Sequence, residues 1–159
     1  MAFAASMYAY PGGAVDSEDA SVSLPEVDLE RHAKVFGDVD LTVTRSYVAA
    51  AVRETFEESG VQVAAKSLVP WARWITPPGE SRRFDARFYI APCPGDQEPR
   101  ALTGEVAAGA WLMLDQAIER HRAGGLPMWP PTIGTLLELV PFDQVATALA
   151  AGPMSIDAQ

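Results

Sequence analysis

The pattern of hydrophobic and polar positions is most regular in the middle of the chain. Over residues 45–59, apolar or weakly polar side chains recur at intervals of three and four residues, which is the spacing of one face of an α-helix. These side chains are Val48, Ala51, Val52, Thr55 and Phe56. Thr44 is a suitable N-cap residue, and Gly60 stands where a left-handed residue commonly ends a helix. The pattern therefore predicts one long helix over residues 45–59.

Shorter patterns on either side predict further elements. Residues 1–10 are apolar and aromatic and run into a strong turn signal, Pro11-Gly12-Gly13. The acidic, irregular stretch 16–40 is expected to be a surface excursion with a short helix at 29–36. Strands are predicted at 61–63, 71–75, 83–91 and 107–114, the second and third forming a hairpin around the turn at 76–79. Helices are predicted at 115–123, 132–140 and 142–151.

The order of these elements indicates the fold class. Strands and helices are mixed without a repeating strand–helix–strand unit, which predicts an α+β fold with a mixed β-sheet packed between helices. With 159 residues the chain has room for one domain. We place that domain at residues 1–152 and a C-terminal tail at 153–159.

The charge balance narrows the range of partners. The chain carries 21 acidic and 12 basic residues, a formal net charge of −9, which argues against nucleic-acid binding because such proteins neutralise phosphates with Lys and Arg. A small phosphate-containing molecule stays compatible if a divalent cation bridges the two negative partners. No stretch approaches the roughly 18 apolar residues that cross a bilayer, and the amino terminus is a poor signal peptide. We therefore expect a cytoplasmic protein with no nucleic-acid or membrane partner.

Three glutamates on the long helix are the strongest candidates for chemistry. Glu54, Glu57 and Glu58 occupy one arc on the flank away from the apolar stripe. Clustered carboxylates are the ligands that hard cations such as Mg²⁺ prefer, whereas a solvated acidic face is the alternative interpretation. An ordered set of Arg53, the three glutamates and Gly60 arises by chance in roughly one chain in ten thousand, which favours the metal site.

The segment from Arg53 to Val61 resembles the second half of the Nudix hydrolase box, Arg-Glu-aliphatic-x-Glu-Glu-x-Gly-aliphatic, with Thr55 in the aliphatic position. The first half of the box, a glycine followed after five residues by glutamate, matches at Gly13 with Asp19 in place of the glutamate. Arg53 lies 26 residues later than an uninterrupted box would place it. Residues 20–44 are therefore expected to be an insertion, and Arg45 holds the glutamate position when counted back from Arg53.

The interrupted box is similar to one branch of this family, the acyl-CoA diphosphatases of peroxisomes and mitochondria and their bacterial relatives. The segments at 71–77, 82–88 and 130–132 support that branch. In the family a long strand normally precedes the Pro-Gly-Gly turn. Only ten residues precede Pro11, enough for one short strand at about 3.3 Å per residue. We therefore expect the amino-terminal strand to be missing.

The resemblance implies a hydrolase that depends on Mg²⁺ or Mn²⁺ and cleaves a diphosphate linkage in a nucleoside-diphosphate-linked compound. It implies that Glu57, Glu58 and the Gly13 carbonyl are metal ligands. Glu54 is expected to be a ligand or the base that activates water, and Arg53 is expected to orient the glutamates. Glu105 is the best candidate for a further metal ligand, with a surface acid as the equally weighted alternative.

Three arginines, Arg82, Arg83 and Arg87, are candidates for substrate phosphate binding. The alternative is an exposed strand face paired with Glu80 and Asp85. CoA or acyl-CoA is the substrate we favour from the resemblance. An NDP-sugar or dinucleotide diphosphatase and a truncated, non-catalytic Nudix-like domain stay as alternatives, and a homodimer is left open.

Overall fold

The computed structural model describes residues 7–95, 97–102 and 109–153. Its elements in chain order are a 3-10 turn Ser17–Ser21, helices α1 (Leu29–Phe36) and α2 (Leu41–Ser59), a 3-10 turn Ala65–Ser67, strands β1 (Val69–Ile75) and β2 (Asp85–Ile90), and helices α3 (Leu114–Arg122), α4 (Pro130–Leu139) and α5 (Val145–Ala151). Among these residues the sheet has two strands, and one parallel bridge pairs Tyr8 with Met128. The α+β class is confirmed, with a sheet smaller in the described residues than the mixed sheet expected.

The β1–β2 hairpin lies between two helical layers. The strands are antiparallel, so that directly opposite residues such as Arg73 and Arg87 share one face of the sheet. On that face, Arg73 donates to the Phe36 carbonyl at the end of α1. On the other face, the Phe88 ring meets the Tyr10 ring edge to face at a centroid distance of 6.2 Å, and Tyr10 in turn bonds to α4. The predicted hairpin is confirmed, with its second strand starting at residue 85.

Helix α2 is longer than the sequence predicts. It begins at Leu41, where the Asp40 carboxylate accepts a hydrogen bond from Thr42 N–H at 2.7 Å. The expected N-cap, Thr44, was wrong: it lies inside the helix and is fully buried. Aspartate is an equally good N-cap and stands four residues earlier. The predicted end is confirmed, because Gly60 adopts φ +70° and its N–H bonds back into the last turn.

Helix α1 confirms the short helix predicted at 29–36, capped by Asp28 and ended by Gly37 at φ +69°. Its placement differs from the expected surface excursion. His32 is only 4% exposed and Phe36 only 1% exposed, and both rings lie against Tyr89 of β2. The surface interpretation was wrong because the buried side of α1 packs against Tyr89 of β2, a residue distant in the sequence.

Two predicted strands do not form as expected. Residues 61–63 are irregular, since side chains satisfy their main chain: Val61 N–H donates to Ser59 Oγ at 3.2 Å, and Gln62 exchanges two hydrogen bonds with the Gln97 amide. Of the strand predicted at 107–114, residues 107 and 108 lie outside the described residues, 109–113 are irregular and Leu114 opens α3.

The three C-terminal helices are confirmed with shifted bounds. Pro130 and Pro131 lie in the first turn of α4 rather than before it, because a first-turn residue needs no N–H donor and proline already has a helical φ. Leu126 and Met128 pack with α3 and α4 in one buried cluster. Among the residues described, no helix is long and apolar enough to span a bilayer.

Candidate functional site

The second half of α2 presents the predicted acidic residues beside the Pro11-Gly12-Gly13 turn. Glu54 is mostly buried, with 15% of its side chain exposed, whereas 49% of the Glu57 side chain is exposed. Glu54, Glu57 and Glu58 follow the three- and four-residue spacing of one helix flank, as predicted. The structure therefore brings both halves of the sequence motif to one place.

The glycine turn packs directly against two of these carboxylates. Gly12 N–H donates to Glu58 Oε2 at 3.0 Å. A Cβ atom at Gly13 would collide with the Glu54 carboxylate, whereas a Cβ atom at Gly12 would meet nothing within 4 Å. A side chain at the second glycine would displace the Glu54 carboxylate, and the first glycine contributes its N–H group.

Arg53 holds the glutamates and the turn together. Its Nη1 donates to Glu54 Oε1 at 2.9 Å and to Glu57 Oε2 at 3.1 Å. Its Nη2 donates to the Ala14 carbonyl at 3.0 Å and to Asp19 Oδ2 at 2.9 Å. The hydrogen bond to Asp19 is the main cause that raises the pKa of Arg53. This cation offsets part of the repulsion among the neighbouring carboxylates.

Asp19 is the buried counterion of Arg53, with 4% of its side chain exposed. Its carboxylate also accepts Asp16 N–H at 2.8 Å. The hydrogen bond from Arg53 lowers the pKa of Asp19. The aspartate that replaces the box glutamate thus contacts an arginine 34 residues later in the chain. Arg45, the other candidate for that position, instead lies 3.5 Å from the Ala20 carbonyl.

The three arginines predicted for phosphate binding do not share one environment. Arg87 forms an ion pair with Asp38 in which both side chains are 3–4% exposed, and its guanidinium lies 3.7 Å from the centroid of the Tyr47 ring. This placement gives Arg87 a buried acidic partner within the fold. Arg83 Nε donates to the Thr76 carbonyl at 3.1 Å, and Arg82 lies beside it in the connection between the strands.

The oxygen donors fit a hard cation in kind, but they do not form a converged set. Within the ranges that the structure describes, no group of three acidic, histidine or cysteine side chains is arranged to hold a metal ion. The contacts explain this, because Glu54 and Glu57 share Arg53 while Glu58 bonds to Gly12. Glu105, the further ligand predicted from the sequence, lies outside the described residues.

A comparison with protein families decides the identity of this motif. The family model described as the NUDIX domain matches residues 44–130. The chain belongs to the Nudix family. The Nudix chain shares the fold of a crystal structure described as a NUDIX hydrolase from Alicyclobacillus acidocaldarius, with a TM-score of 0.79, 24% identity, and coverage of 98% of this chain and 85% of that chain. The predicted Nudix fold is confirmed.

Two curated relatives of this Nudix chain are longer than it is. The Caenorhabditis elegans protein named "Putative nudix hydrolase 7" is 25% identical over 145 residues, which cover 82% of this chain and 49% of the relative. The Gallus gallus protein named "Acyl-coenzyme A diphosphatase NUDT19" is 31% identical over 85 residues, which cover 50% of this chain and 22% of the relative. The matches thus span about half of the first relative and a smaller part of the second.

Sequence reasoning about the Nudix box missed two main-chain groups. Gly12 N–H and the Ala14 carbonyl flank Gly13, and they bond to Glu58 and Arg53 respectively. The doubled glycine was the available signal, because two adjacent residues without side chains allow a backbone to approach other groups closely. The identity of the partners depends on the tertiary fold.

Proposed function

We propose that this chain is a metal-dependent Nudix hydrolase that cleaves the diphosphate linkage of a nucleoside-diphosphate-linked compound. The observation that carries the proposal is the contact of the glycine turn with Glu54 and Glu58 while Arg53 bridges the turn, Glu54 and Glu57. A merely solvated acidic helix face has no need for a backbone that approaches one carboxylate so closely that a methyl group at Gly13 would displace it.

The proposed cofactor is Mg²⁺ or Mn²⁺. Glu57, Glu58 and the Gly13 carbonyl would hold it, since carboxylate and carbonyl oxygens are the donors such cations prefer. When bound, the metal neutralises phosphate charge and lowers the pKa of a water ligand. Glu54 is proposed as a ligand or as the base that accepts the proton of the attacking water. Arg53 keeps the carboxylates oriented and so acts as a positioning residue.

CoA or an acyl-CoA is the proposed substrate class, with 3′,5′-ADP and a phosphopantetheine as products. The similarity to the chicken protein named as an acyl-coenzyme A diphosphatase supports this class. Arg82 and Arg83 precede β2 and are proposed to meet substrate phosphates, the 3′-phosphate of CoA among them. The cytoplasmic location and the homodimer remain predictions from the sequence.

A substrate panel tests the proposal. CoA, acetyl-CoA, dephospho-CoA, NADH, ADP-ribose, UDP-glucose and diadenosine polyphosphates would be incubated with the protein and Mg²⁺ or Mn²⁺, and products separated chromatographically. We expect CoA and its ester to turn over fastest and dephospho-CoA more slowly. Equal rates with and without the 3′-phosphate would remove the CoA assignment. A preference for UDP-glucose or a dinucleotide would establish the alternative diphosphatase activity.

A non-catalytic Nudix domain is the second candidate. It is favoured by the lack, within the described ranges, of three acidic, histidine or cysteine side chains arranged to hold a metal ion. Isothermal titration with the same compounds separates the two candidates. Saturable binding without turnover of any compound, at every metal concentration tried, would establish the non-catalytic domain.

A further inference from the structure

Tyr10 connects the glycine turn to helix α4. It immediately precedes Pro11-Gly12-Gly13. Its hydroxyl donates to the Thr132 carbonyl at 3.2 Å and accepts from Thr135 Oγ1 at 3.1 Å. Both threonines are buried residues of α4. Burial of the hydroxyl raises the pKa of Tyr10 to about 12, so the group remains a neutral phenol at neutral pH.

The turn itself contains two adjacent glycines. Adjacent glycines carry more backbone freedom than any other pair of residues and lose more of it on folding. At its far end the turn is tied to α2, because Arg53 Nη2 donates to the Ala14 carbonyl. At its near end the Tyr10 side chain bonds to α4. The turn is therefore attached to α2 at one end and to α4 at the other.

We infer that the Tyr10 hydroxyl is a positioning group, which fixes the Gly12–Gly13 turn against Glu54 and Glu58 by anchoring it to α4. The effect on the turn stands on geometry alone, whereas its consequence for metal affinity and turnover rests on the proposed function. A phenylalanine at this position would keep the edge-to-face contact with Phe88 and lose both hydrogen bonds. The hydroxyl can therefore be tested apart from the ring.

The test uses the full chain labelled with ¹⁵N and the variant Tyr10→Phe. In the variant, we expect the order parameters of the Gly12 and Gly13 amides to fall from a rigid value of about 0.85 toward about 0.6, while those of α2 stay unchanged. Loss of the anchoring hydroxyl should weaken Mn²⁺ binding, measured by proton relaxation, about three- to tenfold.

Matched variants show whether a loss of glycine order is caused by the Tyr10 hydroxyl. Tyr8→Phe removes the hydroxyl of a half-exposed tyrosine that is held through its main-chain N–H, and should leave both readouts unchanged. Thr135→Val should reproduce part of the Tyr10→Phe effect, and the double variant should be no worse than Tyr10→Phe alone. Thr135→Ser keeps the hydroxyl and should restore parental values. If Tyr10→Phe fails to fold, a partial loss of glycine order in Thr135→Val that is absent from Thr135→Ser tests the anchor instead.

The outcomes are distinguishable. Unchanged glycine order parameters in Tyr10→Phe would overturn the inference, whatever happens to Mn²⁺ binding. An equal loss of order in Tyr8→Phe would also overturn it, since the effect would then not belong to the anchor. If the glycine amides become mobile but the parent binds no Mn²⁺, the inference stands and the proposed metal-dependent function fails.

Discussion

The buried ion pair between Arg87 and Asp38 offers the sharpest test of how the hairpin is attached to the helices. The substitution Asp38→Asn removes the negative charge and keeps the size of the side chain. It leaves the Arg87 guanidinium in a site where 3% of the side chain is exposed. Breaking a buried pair by removing one partner typically costs about 3–5 kcal/mol, because an uncompensated charge stays buried.

The neighbourhood of Arg87 sets the expected value within that range. Arg87 retains the half-exposed Asp85 at 3.0 Å and the face of Tyr47 at 3.7 Å. Both contacts reduce the loss, so we expect Asp38→Asn to lower the free energy of unfolding by about 3 kcal/mol. The matching shift in melting temperature is about 6–12 °C for a chain of this size.

Urea unfolding followed by circular dichroism measures the change, with the slope of the transition as a check on two-state behaviour. The control is Glu26→Gln, which breaks the ion pair with Lys66. In this pair 68% of the Glu26 side chain and 55% of the Lys66 side chain are exposed. Such a surface pair contributes at most about 1 kcal/mol and is weakened by salt. If Asp38→Asn costs less than about 1 kcal/mol, or if its effect disappears in 0.5 M NaCl, the reasoning about burial is wrong.

Three further predictions concern the site and the pH response. Gly13→Ala should reduce both the rate of hydrolysis and the Mn²⁺ affinity by at least about tenfold, because its methyl group collides with Glu54. Gly12→Ala has open space around the new methyl group and should change either quantity by less than about twofold; equal effects of the two variants would contradict the packing. Glu54→Gln should lower turnover by about 10²-fold or more in a steady-state assay, and parental turnover would remove Glu54 from the chemistry. The free energy of unfolding should change by about 1 kcal/mol or less, because Arg53 keeps its hydrogen bonds to Asp19 and Glu57. Burial lowers the pKa of His32 from its ordinary value of 6.5, so the unfolded chain binds more protons than the folded chain below pH 6.5, and stability should fall on acidification from that pH. Urea titrations at several pH values should show a flatter dependence of unfolding free energy on pH in His32→Gln, and an unchanged slope of that dependence would refute the assignment.

Local signals predicted the helices and the hairpin well. Gly60 ends α2 as expected because a left-handed residue there is a property of the local backbone. The spacing of Glu54, Glu57 and Glu58 also follows from one helix alone. The start of α2 was misplaced because Asp40 and Thr44 are both acceptable caps, and the burial of Thr44 by tertiary packing decides between them.

The parts that the sequence predicted less well depend on distant partners. The burial of α1 requires the hairpin residue Tyr89, more than fifty positions after His32. The irregular backbone at residues 61–63 depends on the side chain of Gln97. Likewise, Arg87 looks like an exposed arginine in a strand until Asp38 is brought against it. No periodicity in a window of ten residues carries this information.

The two chemically different faces of the hairpin have a consequence for strand pairing. In β2 the charged Arg87 and the aromatic Phe88 are adjacent, and they point to opposite layers. A slip of one residue would carry the guanidinium away from Asp38 into the aromatic layer and press a phenyl ring against that carboxylate. Such a misaligned hairpin would combine a buried unpaired cation with a buried unpaired anion. Among the described residues the sheet has two paired strands, and so small a sheet is ordinarily prone to alternative alignments. The carboxylate of Asp38 on one face and the ring of Tyr10 on the other thus confine it to one register.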